Sequence, residues 1–362
     1  VKIMAHIFKK KTNTKGILIY THKELEAVRW HDDVSKGIPL LHQDIVDNYH
    51  IGIHHGSIPR TFHNVDNRIS FAMASPGQTA SEMSAPRVQI PMNSRNFLPN
   101  FFKSTGGEKI WDILNISRNM PLKRLDVFMR AIRELYNQQK FLKVLLVVPS
   151  EYDEINNPSS WPQIMDYYEN NFSAKERDLF TFIKLSPEYS GQGISLSAIA
   201  HFYKSSKVFT LLSDIEGESR VIHEALACGL PVVCYSGLSG GGRDYLNDLN
   251  SVQFDDYGNL ATALENAVKK TDQKLLTVDT ESIRNNMCSE KTIPVFINYI
   301  NRLYALDGNI VNQTELINTD YLHLRLPSHF LDVPWYDQGV YKYGADILTN
   351  KQYMTLRKEL NL

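Results

Sequence analysis

Glu216 and Glu224 are separated by seven residues, and they are the charged pair in the sequence that is best placed for chemistry. An apolar run at 207–212 precedes them and predicts a buried strand. In open α/β sheets, ligands bind at the carboxyl ends of strands, where helix N-termini point unpaired N–H groups. Glu216 and Gly217 fall at such an edge. The stretch therefore predicts a ligand site made of carboxylates and backbone N–H groups.

A short helix and a strand follow the acidic turn. Residues 224–228 are mostly small and apolar, and they predict a helix that begins at Glu224. Gly229 follows the last helical turn and Pro231 begins a β-branched run, which is typical of a helix C-terminus that leads into a buried parallel strand. A solvated acidic turn before an ordinary core helix is the alternative interpretation.

Strands and helices alternate through the second half of the chain. This order predicts right-handed βαβ units, a parallel sheet and one Rossmann-like domain over about 105–275. The predicted strands are 109–116, 143–149, 181–185 and 207–212, and the predicted helices are 122–138, 161–179, 196–204 and 258–268.

The two ends of the chain are less regular. The pattern of apolar and polar residues predicts several strands before residue 91 and one helix at 22–32. After residue 280 it predicts a helix at 282–304, an irregular stretch at 309–337 and a partly helical end. The predicted early strands and apolar runs are 1–8, 16–20, 48–56, 68–74 and 87–90.

The acidic stretch resembles the donor-sugar motif of retaining GT-B glycosyltransferases, especially glycosyltransferase family 4. The match consists of Glu216-Gly217, then Glu224-Ala225, and then Ala227-Cys228-Gly229-Leu230-Pro231-Val232-Val233. The resemblance implies that Glu216 contacts the donor hexose, that Glu224 holds the ribose hydroxyls, and that the helix N-terminus faces the diphosphate. The further residues that it assigns to donor binding are Gly217, Glu218, Ser219, Arg220 and Val221.

A second motif supports the resemblance. Residues 116–126 are similar to the family's pattern of a strand, Gly-Arg, a loop and Lys-Gly, with Arg118 and Lys123 at the two cationic positions. Ser117 and Arg124 replace the two glycines. The resemblance implies that both cations clamp the donor diphosphate, whose negative charge grows as the glycosidic bond breaks. The alternative is that they form a solvated helix entry.

The remaining candidates depend on the resemblance or on glycine chemistry. The family places a first-domain histidine near a strand end, and His54 or His55 fits that position, although both could be surface residues. The loop that begins with Ser186 and Pro187 is expected to meet the nucleotide base through its backbone. Gly241, in a run of three glycines, could approach a phosphate or sugar, or it could lie in a plain flexible turn.

The resemblance implies an α/β fold of the GT-B kind, with two Rossmann-like domains facing across a cleft and a reduced first domain. We expect an acceptor-side domain at 1–95 and a donor-binding domain at 96–319, with the tail at 320–362 packing back on the first domain. Residues 91–94 match the family's linker turn in part.

Composition excludes several classes of function. The chain has 362 residues, of which 43% are hydrophobic and 22% charged, as in ordinary globular proteins with room for two domains. A formal net charge of −1 gives no global field that favours nucleic acid. No apolar run approaches the roughly 20 residues of a membrane helix.

Cysteine usage and charge patterning bear on location. Three cysteines, an odd number, read as buried thiols in a reducing compartment, and no signal-peptide pattern is recognised, so we expect a cytoplasmic protein. Lys9, Lys10, Lys11 and Lys15 form a small basic run. This run could meet anionic lipid at the inner face of a membrane, or it could be a solvated loop.

The sequence therefore predicts a retaining, metal-independent hexosyltransferase. Its partners would be a nucleoside-diphosphate sugar donor and a glycan or lipid-linked acceptor, with no metal or other cofactor and no nucleic acid. It would act in glycan, lipid-linked saccharide or surface polysaccharide assembly. Two alternatives stay open, namely a GT-B nucleotide-sugar epimerase and a non-catalytic subunit that keeps the donor fold.

Overall fold

The computed structural model describes most of the chain in two compact units. The first unit comprises Val1–Pro99 and Cys288–Leu362, and the second comprises Asn100–Met287. The described residues are 5–21, 38–39, 41–54, 68–73, 88–92, 96–149, 160–185, 194–309, 336–337, 340–341, 347–348, 354, 357–358, 360 and 362.

A five-stranded sheet with the order β1-β2-β4-β5-β6 organises the described part of the first unit. β1 and β2 pair antiparallel, and the other neighbours pair parallel. These strands confirm the predicted early strands, whereas the helix predicted at 22–32 lies outside the described residues. The strands of the first half are β1 (Ala5–Lys9), β2 (Gly16–Thr21), β3 (Ile38–Pro39), β4 (Tyr49–His54), β5 (Ile69–Met73) and β6 (Val88–Ile90).

Two helices of the first unit are described, α1 (Gln43–Asn48) and the later helix at Ser289–Ala305. The later helix buries Phe296, Ile300 and Leu303 in one cluster with apolar side chains of the first sheet. The sequence predicts this segment within the donor-binding domain at 96–319, whereas the structure groups it with the first unit. The difference arises because the apolar face of the helix is buried against the first sheet.

Short pieces of the tail also belong to the first unit. β15 (Tyr336–Asp337) pairs antiparallel with β16 (Val340–Tyr341), and β17 (Ile347–Leu348) pairs antiparallel with β3. Arg357 Nη1 lies 2.9 Å from Asp44 Oδ2.

A six-stranded parallel sheet forms the centre of the second unit, with the order β14-β12-β10-β7-β8-β9 among the described strands. Numbered within the unit, this order is 3-2-1-4-5-6 read from β9, the doubly wound arrangement of dinucleotide-binding folds. The strands are β7 (Trp111–Ile116), β8 (Val144–Val148), β9 (Phe180–Lys184), β10 (Ser206–Leu211), β12 (Val232–Tyr235) and β14 (Ser251–Phe254).

Helices connect these strands and bury their apolar faces. The first of them carries Leu125, Phe128, Ile132 and Leu135 at helical spacing, and all four are buried in the core of the unit. The structure thus confirms an α/β fold built on parallel sheets. The helices are α2 (Leu125–Asn137), α3 (Trp161–Asn171), α4 (Ala174–Arg177), α5 (Leu196–Lys204), α6 (Arg220–Ala227), α7 (Leu260–Asp272), α8 (Thr280–Met287) and, in the first unit, α9 (Ser289–Ala305).

A small second sheet stands beside the main one. β11 (Ile215–Glu218) pairs parallel with β13 (Ser239–Gly241). The acidic turn is therefore not an irregular loop, because Glu216 lies in a strand of its own. The plain flexible turn considered for the three glycines is also wrong, since Gly240 and Gly241 belong to β13.

Candidate donor-binding site

The strand order brings the two charged motifs to one place. β7 and β10 are neighbours at the point where the order of the sheet reverses, and ligands bind outside the carboxyl ends of such strands. Arg118 and Lys123 follow β7, and Glu216 follows β10. The two motifs are far apart in sequence, yet they lie at one edge of the sheet.

Lys123 and Glu216 form an ion pair between the ammonium Nζ and the carboxylate Oε1. The two side chains are only 14% and 13% exposed, so the pair is partly withdrawn from water. The sequence predicted separate contacts with donor diphosphate and donor sugar. The structure shows that these two side chains are near enough to meet a single ligand.

A second ion pair lies next to the first. Arg124 Nη2 bonds Asp214 Oδ2, and the guanidinium stands over the ring of Tyr257, with 4.2 Å from its carbon to the ring centroid. The Tyr257 hydroxyl is 2.7 Å from the carbonyl oxygen of Leu212 and also bonds Asp214 Oδ1. Sequence reasoning missed Asp214 and Tyr257. Asp214 stands two residues before Glu216, whereas Tyr257 carried no local signal.

The electrostatics keep Asp214 ionised. Burial by itself would raise the pKa of Asp214, but hydrogen bonds from Tyr257 and Arg124 outweigh it and hold that pKa below its usual value. Burial first, and then the hydrogen bond to Asp214, raise the pKa of Tyr257 well above 10. The hydroxyl therefore remains a proton donor at all physiological pH values.

Arg118 differs from Lys123. Its side chain is exposed at the end of β7, and it has no hydrogen-bond or ion-pair partner among the described residues. The neighbouring Ser117 hydroxyl is buried and donates to Asn115 Oδ1 at 2.8 Å. Arg118 is thus a charge directed at solvent beside the switch point, as a residue that meets an anionic ligand would be.

The helix that carries Glu224 begins earlier than the sequence predicted. α6 starts at Arg220, so Glu224 lies in its second turn and the prediction of Glu224 at the helix start is wrong. The extra turn forms because Ile222 and His223 are buried as well. The helix ends as predicted, with Gly229 at a φ of 81° donating its N–H to the carbonyl of Leu226 at 2.9 Å.

Glu224 is almost fully buried and is held from two sides. The Tyr203 hydroxyl donates to its Oε2 at 3.2 Å, and Arg220 Nη2 lies 3.6 Å from its Oε1. Burial and the nearby carboxylate raise the pKa of Tyr203 well above 10. The carboxylate is therefore fixed in orientation, which suits a group that accepts hydrogen bonds from a ligand.

The start of α6 carries the other predicted donor-binding residues. Ser219 is the N-cap residue, and Arg220 and Val221 form the first turn. The Ser219 hydroxyl is buried and has no hydrogen-bond partner among the described residues, and the same holds for Ser213. Buried hydroxyls without partners are rare in folded proteins. The Ser219 hydroxyl is therefore an unsatisfied polar group at the start of α6, and the Ser213 hydroxyl is one in the segment that follows β10.

The glycines of β13 fix the position of Glu216. Gly240 has a φ of 105°, and a Cβ atom placed there would lie 1.6 Å from the carbonyl oxygen of Glu216. The N–H of Ser219 donates to the carbonyl of Gly241 at 3.4 Å. Gly241 and the Gly217–Glu218 segment of β11 therefore shape the backbone around the acidic turn.

The other predicted site residues lie elsewhere or outside the described chain. His54 is the last residue of β4 in the first unit, whereas His55, Ser186 and Pro187 lie outside the described residues. In the described part of the chain, no group of three or more His, Cys, Asp and Glu side chains could hold a metal ion. None of the described helices has the length and apolar character to span a membrane.

Comparison with known proteins gives a family match over this part of the chain. The family model "Glycosyl transferases group 1" matches residues 189–276, which include β10, β11, α6 and β12. No curated protein sequence matches the chain.

Solved structures show the same fold at low identity. TarM is 14% identical with a TM-score of 0.50, and the match covers 70% of this chain and 51% of TarM. The pneumococcal O-GlcNAc transferase GtfA, solved with UDP and GlcNAc, is 13% identical with a TM-score of 0.50, covering 72% and 54%. Sucrose-phosphate synthase from Thermosynechococcus elongatus is 13% identical with a TM-score of 0.51, covering 72% and 69%. The chain has the GT-B fold, and it spans about half the length of TarM and GtfA.

Proposed function

We propose that this protein is a retaining glycosyltransferase that moves a sugar from a nucleoside-diphosphate donor to an acceptor hydroxyl in glycan, lipid-linked saccharide or surface polysaccharide assembly. The observation that carries the proposal is the meeting of Lys123 with Glu216 at the switch point. Cations suit a diphosphate, and carboxylates suit sugar hydroxyls. The match to the glycosyl transferase family model supports it, as does the likeness of fold to GtfA, whose structure contains UDP and GlcNAc.

The cations would act on the leaving group. The diphosphate would lie against the N-terminus of α6 and accept hydrogen bonds from Arg118 and Lys123. Lys123 would exchange part of its contact with Glu216 for a phosphate oxygen, and Glu216 would turn to the sugar hydroxyls. Because the leaving group gains charge as the glycosidic bond breaks, the cations stabilise the transition state more than the bound donor.

Glu224 would orient the nucleoside. Its carboxylate is held by Tyr203 and Arg220 and can accept hydrogen bonds from both hydroxyls of a ribose. The resemblance assigns the acceptor to the first domain, which also carries the candidate histidines His54 and His55.

A panel of UDP-glucose, UDP-N-acetylglucosamine and GDP-mannose, read by thermal shift, tests the proposal. At a concentration 100 times Kd, a bound donor should stabilise the fold by about 2.7 kcal/mol. The best donor is then incubated with and without excess EDTA while release of the nucleoside diphosphate is measured. We expect release that EDTA does not abolish, because Arg118, Lys123 and the helix N-terminus supply the positive field.

The other outcomes separate the alternatives. Binding without release under many acceptors identifies a non-catalytic subunit. Recovery of an altered sugar still joined to its nucleotide identifies an epimerase. Failure of every donor to stabilise the protein contradicts the proposal, and loss of release in EDTA that manganese restores contradicts its metal-independent form.

A further inference from the structure

Two short segments at the switch point are joined twice. Lys123 and Arg124 are adjacent in the chain, and their partners Glu216 and Asp214 are two residues apart. The Lys123–Glu216 pair belongs to the proposed donor site. The proposed function gives the Arg124–Asp214 pair no role in donor binding. It nevertheless joins the segment of Lys123 to the segment of Glu216 a second time.

Tyr257 anchors the second pair from a third element. Its hydroxyl is shared between Asp214 and the carbonyl oxygen of Leu212, and its ring lies under the guanidinium of Arg124. The ring also stacks on Tyr235, with centroids 5.2 Å apart and planes 20° apart. We call the group of Arg124, Asp214 and Tyr257 the clamp. It packs against β12 through the stacking of Tyr257 on Tyr235.

The backbone at Arg124 supports a role for its side chain. Arg124 adopts φ 50° and ψ 44°, in the left-handed region that glycine occupies without strain. It stands between the 3-10 turn Pro121–Lys123 and α2, and the related pattern has glycine there. A strained arginine in a glycine position is a reason to look for a function of its side chain.

We propose that the clamp of Arg124, Asp214 and Tyr257 is a positioning device that sets the place of the Lys123 ammonium relative to Glu216. It rests on the proposed function only in its effect on turnover. The three residues do not touch the donor. They hold the segment of Lys123 against the segment of Glu216, so that both side chains meet one ligand in a fixed geometry.

The first measurement needs no donor. Limiting N-hydroxysuccinimide acetate labels lysines, and peptide mass spectrometry gives the rate at Lys123 in the wild type, Arg124→Gly, Asp214→Asn and Tyr257→Phe. Arg124→Gly keeps an unstrained backbone while it removes the clamp, and Tyr257→Phe keeps the ring. We expect Lys123 to react about threefold faster or more in Arg124→Gly and Asp214→Asn, because a less constrained ion pair opens more often.

A second ion pair in the same unit supplies the control. Lys140 and Glu265 are 36% and 35% exposed, close to the 34% of both Arg124 and Asp214. Glu265→Gln should speed the labelling of Lys140, leave that of Lys123 unchanged and leave turnover unchanged. It therefore separates the loss of an ordinary ion pair from the loss of the clamp.

The second measurement is release of nucleoside diphosphate from the best donor of the panel. At saturating donor, Arg124→Gly and Asp214→Asn should each lower kcat about 10-fold, since small misplacements of reacting groups are costly. KM should change less than kcat, and the double variant should be no slower than either single variant. Tyr257→Phe should give a smaller loss of the same kind.

The outcomes separate the clamp from the proposed function. Wild-type labelling of Lys123 in all three variants overturns the clamp, whatever the turnover. Wild-type kcat in the variants, with faster labelling, overturns its catalytic consequence. If the wild type neither binds nor cleaves any donor, the proposed function is wrong, and the labelling of Lys123 alone decides whether the clamp sets that side chain.

Discussion

Two clusters of ion pairs in the second unit are built in opposite ways. On one side of the unit, Arg133 meets Glu176 through two hydrogen bonds of 2.7 Å, and Glu176 also accepts the N–H of Ser173. Arg133 donates to the carbonyl of Asn171 and stands over the ring of Phe172. Every charge in this cluster has several partners, as expected of a group whose work is structural.

The cluster at the switch point contains buried polar atoms that have no hydrogen-bond partner among the described residues. Each of its pairs is held by one hydrogen bond between the charged groups, and Arg124 Nε is buried without a partner among the described residues. The hydroxyls of Ser213 and Ser219 are also buried without a hydrogen-bond partner among the described residues. Unsatisfied buried groups cost free energy, so this cluster is less completely paired than the Arg133–Glu176 cluster, as the proposed donor site would require.

Removal of a cation should give the largest contrast between the clusters. Lys123→Ala and Arg118→Ala are each expected to lower turnover about 10²-fold or more, because both would meet charge that grows in the transition state. Binding of the free nucleoside should weaken much less, and the double variant should lose less than the product of the single losses. Turnover is measured at saturating donor, and binding of the free nucleoside is measured separately. Arg133→Met is the control and should lower stability without changing either quantity. Wild-type turnover in Lys123→Ala would show that Lys123 has only a structural role, like Arg133.

Gly240→Ala should displace the backbone of Glu216 and so disturb the cluster at the switch point. The new Cβ would overlap the carbonyl oxygen of Glu216, so we expect a fall in turnover of about 10-fold or more together with a lower Tm. Gly106→Ala is the matched control, because Gly106 also has a positive φ, of 67°, but nothing lies within 4 Å of its Cβ position. The control should lose about 1 kcal/mol of stability and no turnover. Equal turnover in the two variants would show that the backbone of Glu216 does not matter.

Glu224→Gln should weaken nucleotide binding, and it should also lower stability because Arg220 is largely buried and loses its ion-pair partner. Glutamine still accepts the hydrogen bond from Tyr203, but it loses the charge that would hold the ribose. We expect a loss of about 1.5–3 kcal/mol in the binding of the nucleoside diphosphate, measured by titration calorimetry. Tyr203→Phe, which leaves the carboxylate charged, serves as the comparison and should cost less. Unchanged affinity in Glu224→Gln would remove this residue from the site.

The sequence predicted the parts of this site that depend on neighbouring residues. The strand at 207–212 and the helix end at Gly229 were both predicted, since apolar runs and glycine after a helical turn act locally. The start of α6 was missed by four residues. His223 and Glu224 are polar, and nothing in their immediate sequence shows that tertiary packing buries them.

Partners from distant elements could not be predicted. Tyr257 meets Asp214 only because β14 and the turn after it come close to the end of β10, and Lys123 meets Glu216 only because β7 and β10 pair. The resemblance assigned roles to Lys123 and Glu216 but did not give their contact. Ion pairing is decided by tertiary geometry, whereas periodicity reports secondary structure.

The contribution of the Arg133–Glu176 cluster to the free energy of unfolding should depend on pH. This effect should be smaller than those of the preceding variants. Glu176 has a pKa lowered from 4.5 to about 2, first of all by its hydrogen bond with Arg133. A lowered carboxyl pKa adds stability above the unfolded value, and this contribution is lost as pH falls through the folded value. Glu176→Gln should therefore reduce the free energy of unfolding by about 1–2 kcal/mol at pH 7.

The reduction should shrink steadily below pH 4.5 and be almost absent near pH 2. Urea denaturation at several pH values measures it, with Glu265→Gln as a control at a half-buried ion pair that should change little. Turnover at pH 7 should equal that of the wild type, since none of the described donor-site residues contacts Glu176. A difference in stability that stayed constant down to pH 2 would mean that Glu176 acts through packing and not through its charge.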